Sequence, residues 1–113
     1  MRDSVLVLNH PLAQSFLTDL RGKTTTRPVI RHRIRALSVL LFYEATCDLP
    51  RKSVKVSTPL AKAAGTRVSK TVGLVPILRA GLGMVDGILE LLPEARVFHL
   101  GLFRDEKTLQ AVE

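Results

Sequence analysis

Fifteen residues constrain the fold of this chain more than any others: Val72-Gly73-Leu74-Val75-Pro76-Ile77-Leu78-Arg79-Ala80-Gly81-Leu82-Gly83-Met84-Val85-Asp86. The stretch opens as an apolar run without polar alternation, the signature of a strand buried on both faces. Two glycines, Gly81 and Gly83, break it. Leu82, Val85, Ile88, Leu89 and Leu92 then recur at helical spacing. The segment therefore reads strand, tight turn, helix, with one cation, Arg79, at the carboxyl end of the strand. Ligands of open α/β sheets sit at that end, and the N–H groups that open a helix favour an anion. Glycines there permit close backbone approach or positive φ. A phosphate or pyrophosphate is the ligand this pattern suggests, although a strand-to-helix glycine turn is often purely structural. The segment matches neither G-x-x-x-x-G-K-[ST] nor G-x-G-x-x-G, so the two standard nucleotide loops are excluded.

The following segment turns this motif into a unit. Ala95 to Phe103 reads as a second strand, followed by the polar run Arg104-Asp105-Glu106-Lys107. Strand, helix and strand in this order make a right-handed parallel βαβ unit. Both strands then end at one edge of the sheet, and Arg79 and Arg104 face a common site.

Upstream, two helices precede the sheet. Pro11 suits a first helical position, Leu12, Phe16, Leu17 and Leu20 form an apolar stripe, and Gly22 ends the helix. Ser4 to Leu8 before it reads as a short strand or an extended arm. Thr26 is a candidate cap for the longest helix, which carries Pro28 in its first turn and an apolar stripe at Ile30, Ile34, Leu37, Leu41 and Ala45. Its opposite face bears Arg27, Arg31 and Arg35, with His32 and Arg33 beside them. Such a face suits nucleic acid phosphates. It lacks the interleaved aromatics that stack bases, and a solvated ridge or subunit contact is the favoured reading. Val54, Val56 and Thr58 alternate with Lys55 and Ser57, and Ala64-Gly65-Thr66 reads as a turn. A small antiparallel excursion at one edge of the main sheet is expected here.

The chain has 113 residues, enough for one domain, and a net charge of +7. Residues 1–56 hold ten Lys/Arg against four Asp/Glu, whereas residues 57–113 hold seven against six. The basic balance suits anionic partners without choosing among them. A single cysteine, Cys47, excludes an intramolecular disulfide and is expected to be an inert, semi-buried thiol. His10, His32 and His99 have no metal-ligand spacing, and His99 reads as a core histidine. Asp86 and Glu90 read as helix-start charge and surface polarity. No catalytic residue and no metal site is identifiable. No stretch approaches 18 uninterrupted apolar residues, and a soluble, cytoplasmic protein without a membrane partner is expected.

The run Val75 to Gly87 resembles the pyrophosphate-binding loop of uracil phosphoribosyltransferases. The resemblance extends to His10-Pro11-Leu12, to Leu40-Leu41-Phe42-Tyr43-Glu44-Ala45-Thr46, and to Gly101-Leu102-Phe103-Arg104-Asp105 with Thr108-Leu109. It implies an α/β fold: an incomplete phosphoribosyltransferase-type (Rossmann-like) parallel sheet with N-terminal helices and a small β excursion. It implies transfer of phosphoribose from phosphoribosyl pyrophosphate (PRPP) to uracil, giving UMP and pyrophosphate in pyrimidine salvage, with Mg²⁺ and a homo-oligomeric state. Arg79, Ala80, Gly81 and Arg104 would bind pyrophosphate, and a non-proline cis peptide is expected beside Arg79. Ile30 stands where this family usually has an aromatic residue. Residues 1–113 would be the N-terminal portion of one such domain, ending before the ribose-phosphate loop and the uracil-binding segment. No Asp-x-x-x-x-Thr-Gly run occurs. On its own the chain is expected to be an inactive fragment. The alternative is a non-catalytic module that uses its basic helix to bind RNA or a full-length homologue; a nucleic acid partner is not favoured.

Overall fold

The computed structural model describes residues 4–101 and the backbone of 103–104 and 111–112. Helix α1 spans Pro11–Arg21, and Pro11 at its start needs no N–H partner. His10 caps it, Nδ1 accepting from the Leu12 N–H at 3.1 Å. Gly22 ends the helix and packs against Thr25, whose hydroxyl donates to the Asp19 carbonyl at 2.5 Å. Helix α2 follows over Arg27–Ala45. Thr26 is its N-cap residue, but the hydroxyl makes no capping hydrogen bond. Residues 5–10 form no strand, and Leu6 and Leu8 share a 320 Å³ hollow with the end of α2.

The basic face of α2 is not a uniform solvated ridge. The Arg33 Nε donates to Asp19 of α1 at 2.6 Å, and its guanidinium stands 5.1 Å from the Phe16 ring centroid. Arg35 pairs with Glu90 of the third helix, leaving Arg27, Arg31 and His32 as the exposed remainder. Two of the five cations thus hold neighbouring helices, because α2 is flanked on both sides. The most enclosed polar residue of the helix is Ser38, at 1% exposure, with its hydroxyl donating to the Ile34 carbonyl.

Strands β1 (Arg51–Ser57) and β2 (Lys62–Val68) form an antiparallel hairpin. The turn lies at Thr58–Ala61, where the Thr58 N–H donates to the Ala61 carbonyl at 2.8 Å. Ala64-Gly65-Thr66 is therefore not a turn but the middle of β2. Gly65 faces Val54 in register, where a Cβ would make only ordinary contact with the valine at 3.6 Å. The hairpin forms its own two-stranded sheet rather than an edge of the parallel strands.

The apolar stretch after it folds as a bent strand, β3 (Gly73–Leu74) and β4 (Ile77–Leu78), leading into helix α3 (Leu82–Leu91). The returning segment is β5 (Arg96–Val97) and β6 (Leu100–Gly101). β3 pairs with β5 and β4 with β6, both parallel, as a βαβ unit requires. The ladder breaks between them at Val75-Pro76 because proline has no N–H to donate. The Pro76 carbonyl still accepts from Leu100 at 3.2 Å. Beyond β6, β7 (Phe103–Arg104) pairs antiparallel with β8 (Ala111–Val112). The molecule is thus mixed α/β, with three helices and short parallel and antiparallel strands among the described residues.

Leu74, Val85 and Ile88 make the core, with Phe42, Val72, Leu89 and Val97 packed against it. Full burial of one such side chain contributes roughly 1.5–3 kcal/mol. Helices α2 and α3 meet closely at Gly87, where a Cβ would stand 2.6 Å from the Arg35 carbonyl oxygen. His99 is exposed between β5 and β6 and is not a core residue. Cys47 is also exposed, because it sits in the turn that leaves α2 rather than on its packed face.

Candidate pyrophosphate site

The site grows from the junction of β4 and α3. The Leu78–Arg79 peptide is cis, at the position expected. Arg79 is exposed, one residue past the last β4–β6 pair, Leu78 with Gly101. Ala80 follows it, also exposed, and Gly81 is the N-cap residue of α3.

Neither Gly81 nor Gly83 has positive φ; Gly81 lies at −75°. The requirement at Gly81 is space. A Cβ there would stand 2.9 Å from the Ile77 nitrogen and 3.0 Å from both the Ile77 oxygen and the Pro76 Cβ. The turn folds back onto its own strand, and two of its amides are engaged: Gly81 N–H donates to Ile77 O at 2.8 Å, and Leu82 N–H to Arg79 O at 3.1 Å. Those two amides are therefore not free to receive an anion. Asp86 lies past the first turn of α3, so it is not a helix-start charge; it is exposed on the rim of a groove with Arg31, Arg35 and Glu90.

Arg104 lies in β7, three residues after Gly101, so its backbone follows the same end of the β4–β6 pair as Arg79. Its side chain, and the polar run after it, fall outside the described residues. An apolar hollow of 490 Å³ adjoins the turn, lined by Val75, Ile77, Ala80, Gly81 and Met84 among others. Nothing in the sequence reading anticipated this hollow, although Val75, Ile77 and Met84 alternate with the buried positions of the same run. No group of three or more His, Cys, Asp or Glu is placed to hold a metal among the described residues. Among them too, no helix is long and apolar enough to cross a membrane.

A model of the family described as uracil phosphoribosyltransferase matches residues 7–113. The chain belongs to that family. A uracil phosphoribosyltransferase of Roseiflexus sp. (strain RS-1) is 56% identical over 108 residues, which are 96% of this chain and 52% of the relative. One from Lactiplantibacillus plantarum is 49% identical, over 95% of this chain and 52% of its own length. A solved structure of the AQ2163 protein from Aquifex aeolicus superposes with a TM-score of 0.86 at 31% identity, covering 95% of this chain and 52% of the other. The chain thus spans about half the length of the curated uracil phosphoribosyltransferases it matches.

Proposed function

We propose that this chain supplies the pyrophosphate-binding part of a uracil phosphoribosyltransferase site, in which uracil and PRPP yield UMP and pyrophosphate. One observation carries the reading: Arg79 stands exposed at the strand-to-helix turn of a chain belonging to this family. As the bond from ribose C1 to pyrophosphate breaks, C1 gains oxocarbenium character and negative charge collects on the departing oxygens. A fixed guanidinium beside those oxygens stabilises them more in the transition state than in the ground state. Arg79 takes that role, with the backbone at Ala80 and Gly81 shaping the turn and Arg104 as a second cation from the neighbouring strand end. Uracil N1 bonds to C1 as the bond from C1 to pyrophosphate breaks, and the N1 proton is released.

Mg²⁺ enters as the metal complex of PRPP. The described residues offer no carboxylate cage, and Mg²⁺ is commonly carried on substrate phosphates with water completing its shell. The same reading takes residues 1–113 as the N-terminal portion of one phosphoribosyltransferase domain, homo-oligomeric and cytoplasmic. Ribose-phosphate and uracil recognition come from the half of the family fold that this chain does not span. These residues alone bind PRPP without turning it over.

Calorimetric titration with PRPP and Mg²⁺, with Arg79→Ala beside the parent and UMP formation assayed on the same samples, tests this. Binding that is lost in the variant, without UMP, is the expected result. Undiminished binding in Arg79→Ala overturns the assignment of Arg79, and turnover by the chain alone overturns the half-site.

A further inference from the structure

The parallel sheet turns one apolar face away from α3. Burial alternates along its first strand: Leu74 and Pro76 are buried, whereas Val75 and Ile77 are 60% and 47% exposed. Leu74 packs with Val85 and Ile88 of α3. Successive strand residues point to opposite faces, so Val75 and Ile77 lie on the side away from that helix. Phe98 joins them, since its neighbour Val97 packs against the core. A Cβ on Gly73 would stand 3.5 Å from the Phe98 ring, which sets the ring over Gly73, two residues before Val75. Phe98 is 56% exposed, so three large apolar side chains share this face.

The same strand is open along one edge. Among the described residues β3 pairs only with β5 and β4 only with β6, which leaves the opposite edge of both unpaired. The 490 Å³ hollow lies on that side: residues of the strand and of α3 line it, none of β5 or β6, and it reaches Leu74, Val85 and Ile88 of the core. Parallel sheets occur almost only with both faces covered. The right-handed crossover rule says where the second cover comes from. The crossover toward β5–β6 places α3 on one face. Crossovers in the other direction, past the open edge, place their helices on the face of Val75, Ile77 and Phe98. Arg79 stands at the carboxyl end of the strand where the two directions part.

We propose that this face and the open edge of β3–β4 form a docking surface for the other half of a uracil phosphoribosyltransferase domain, and that this half binds when supplied as a separate polypeptide. The inference rests on the half-site reading above. Residues 1–113 match about half the length of the relatives, so the other half of a relative is a defined partner. It meets the surface with a strand along the open edge and the apolar side of a helix across Val75, Ile77 and Phe98. A parallel strand docked there ends beside Arg79, so association brings the two parts of the site together. A second copy of this chain pairing edge to edge would lengthen the sheet and leave the apolar face open.

The test coexpresses the full 113-residue chain with the half of the Roseiflexus sp. (strain RS-1) relative that it does not match. Sedimentation of the purified pair over a dilution series reads stoichiometry and Kd, and UMP formation is assayed on the same samples. An equimolar complex that makes UMP, where neither polypeptide does so alone, is the expected result. Val75→Asp/Phe98→Asp should raise Kd at least tenfold, because a charge buried in an apolar contact is costly. Both positions are exposed in the chain alone, so its Tm should not change; Val75→Asp by itself is the second variant if the double change lowers Tm. Val5→Asp, at another exposed apolar residue, should associate as the parent does. Absence of a complex, or an undiminished complex in the face variants, overturns the proposal. So does a dimer of the chain through this face that the added half does not displace. Arg79→Ala should associate normally and make no UMP; UMP at the parent's rate would overturn the half-site reading and leave the docking surface standing.

Discussion

Gly87 of α3 lies so close to Arg35 of α2 that a Cβ would sit 2.6 Å from its carbonyl oxygen and 3.2 Å from its carbonyl carbon and Cα. This contact sets how near the two longest-range packing partners among the helices can come. The atoms that would be struck belong to a helix backbone, which cannot turn aside as a side chain can. Gly87→Ala should therefore destabilise the chain by about 1–3 kcal/mol, despite the gain in helix propensity. Urea denaturation followed by circular dichroism measures this, and a stabilised variant would contradict the packing argument.

Gly81→Ala tests the turn itself. Its Cβ would meet Ile77 backbone and Pro76 at about the same spacing on three sides, so the loop must move outward. We expect PRPP affinity to fall at least tenfold, a loss of roughly 1.4 kcal/mol. Calorimetry on a folded sample reads it; retained affinity would mean that the observed turn geometry is dispensable for the ligand.

Arg79→Lys separates charge from shape. Lysine keeps the positive charge but loses the planar fork that grips two phosphate oxygens at once. Its PRPP affinity should lie much nearer to that of Arg79→Ala than to the parent's. A lysine variant equal to the parent would reduce the role of Arg79 to a point charge.

The Arg33–Asp19 pair is the main polar tie between α1 and α2. Its side chains are 28% and 38% exposed, so solvent screens it partially. A double-mutant cycle with Arg33→Ala and Asp19→Ala should give a coupling of about 0.5–1 kcal/mol, falling with added salt. Arg33→Ala alone should cost more than Asp19→Ala, because it also removes the contact with the Phe16 ring. Equal costs would show that the ring contact contributes nothing.

Much of this architecture is legible because proline and glycine act through the backbone. Pro11, Gly22 and Pro28 mark helix ends from local geometry alone, and the structure places those ends accordingly. The parallel βαβ unit follows from the apolar run and the helical spacing after it. The same residues mislead where tertiary packing decides. Gly65 looks like a turn but lies within β2, paired with Val54 across the hairpin. Pro76 interrupts a run that hydropathy alone reads as one continuous strand. Ser38 gives no signal of burial, since its hydroxyl is satisfied within its own helix. At the site, the run Val75 to Gly87 exposes the family and locates Arg79, but not that the Gly81 and Leu82 amides are already engaged.

The hollow beside Arg79 has a practical consequence for anyone handling the protein. Val75, Ile77 and Met84 expose 60%, 47% and 40% of their surfaces around it. They are exposed apolar residues beside the turn and natural targets for changes meant to improve expression. Yet they lie in the same run as Arg79 and Gly81, so a charge introduced there to keep the chain in solution also changes the electrostatic field at the proposed pyrophosphate site. On the proposed reading, yield and ligand binding are coupled at these three positions, and a search for better-behaved variants is safest when it begins elsewhere, at Val5 or Val7.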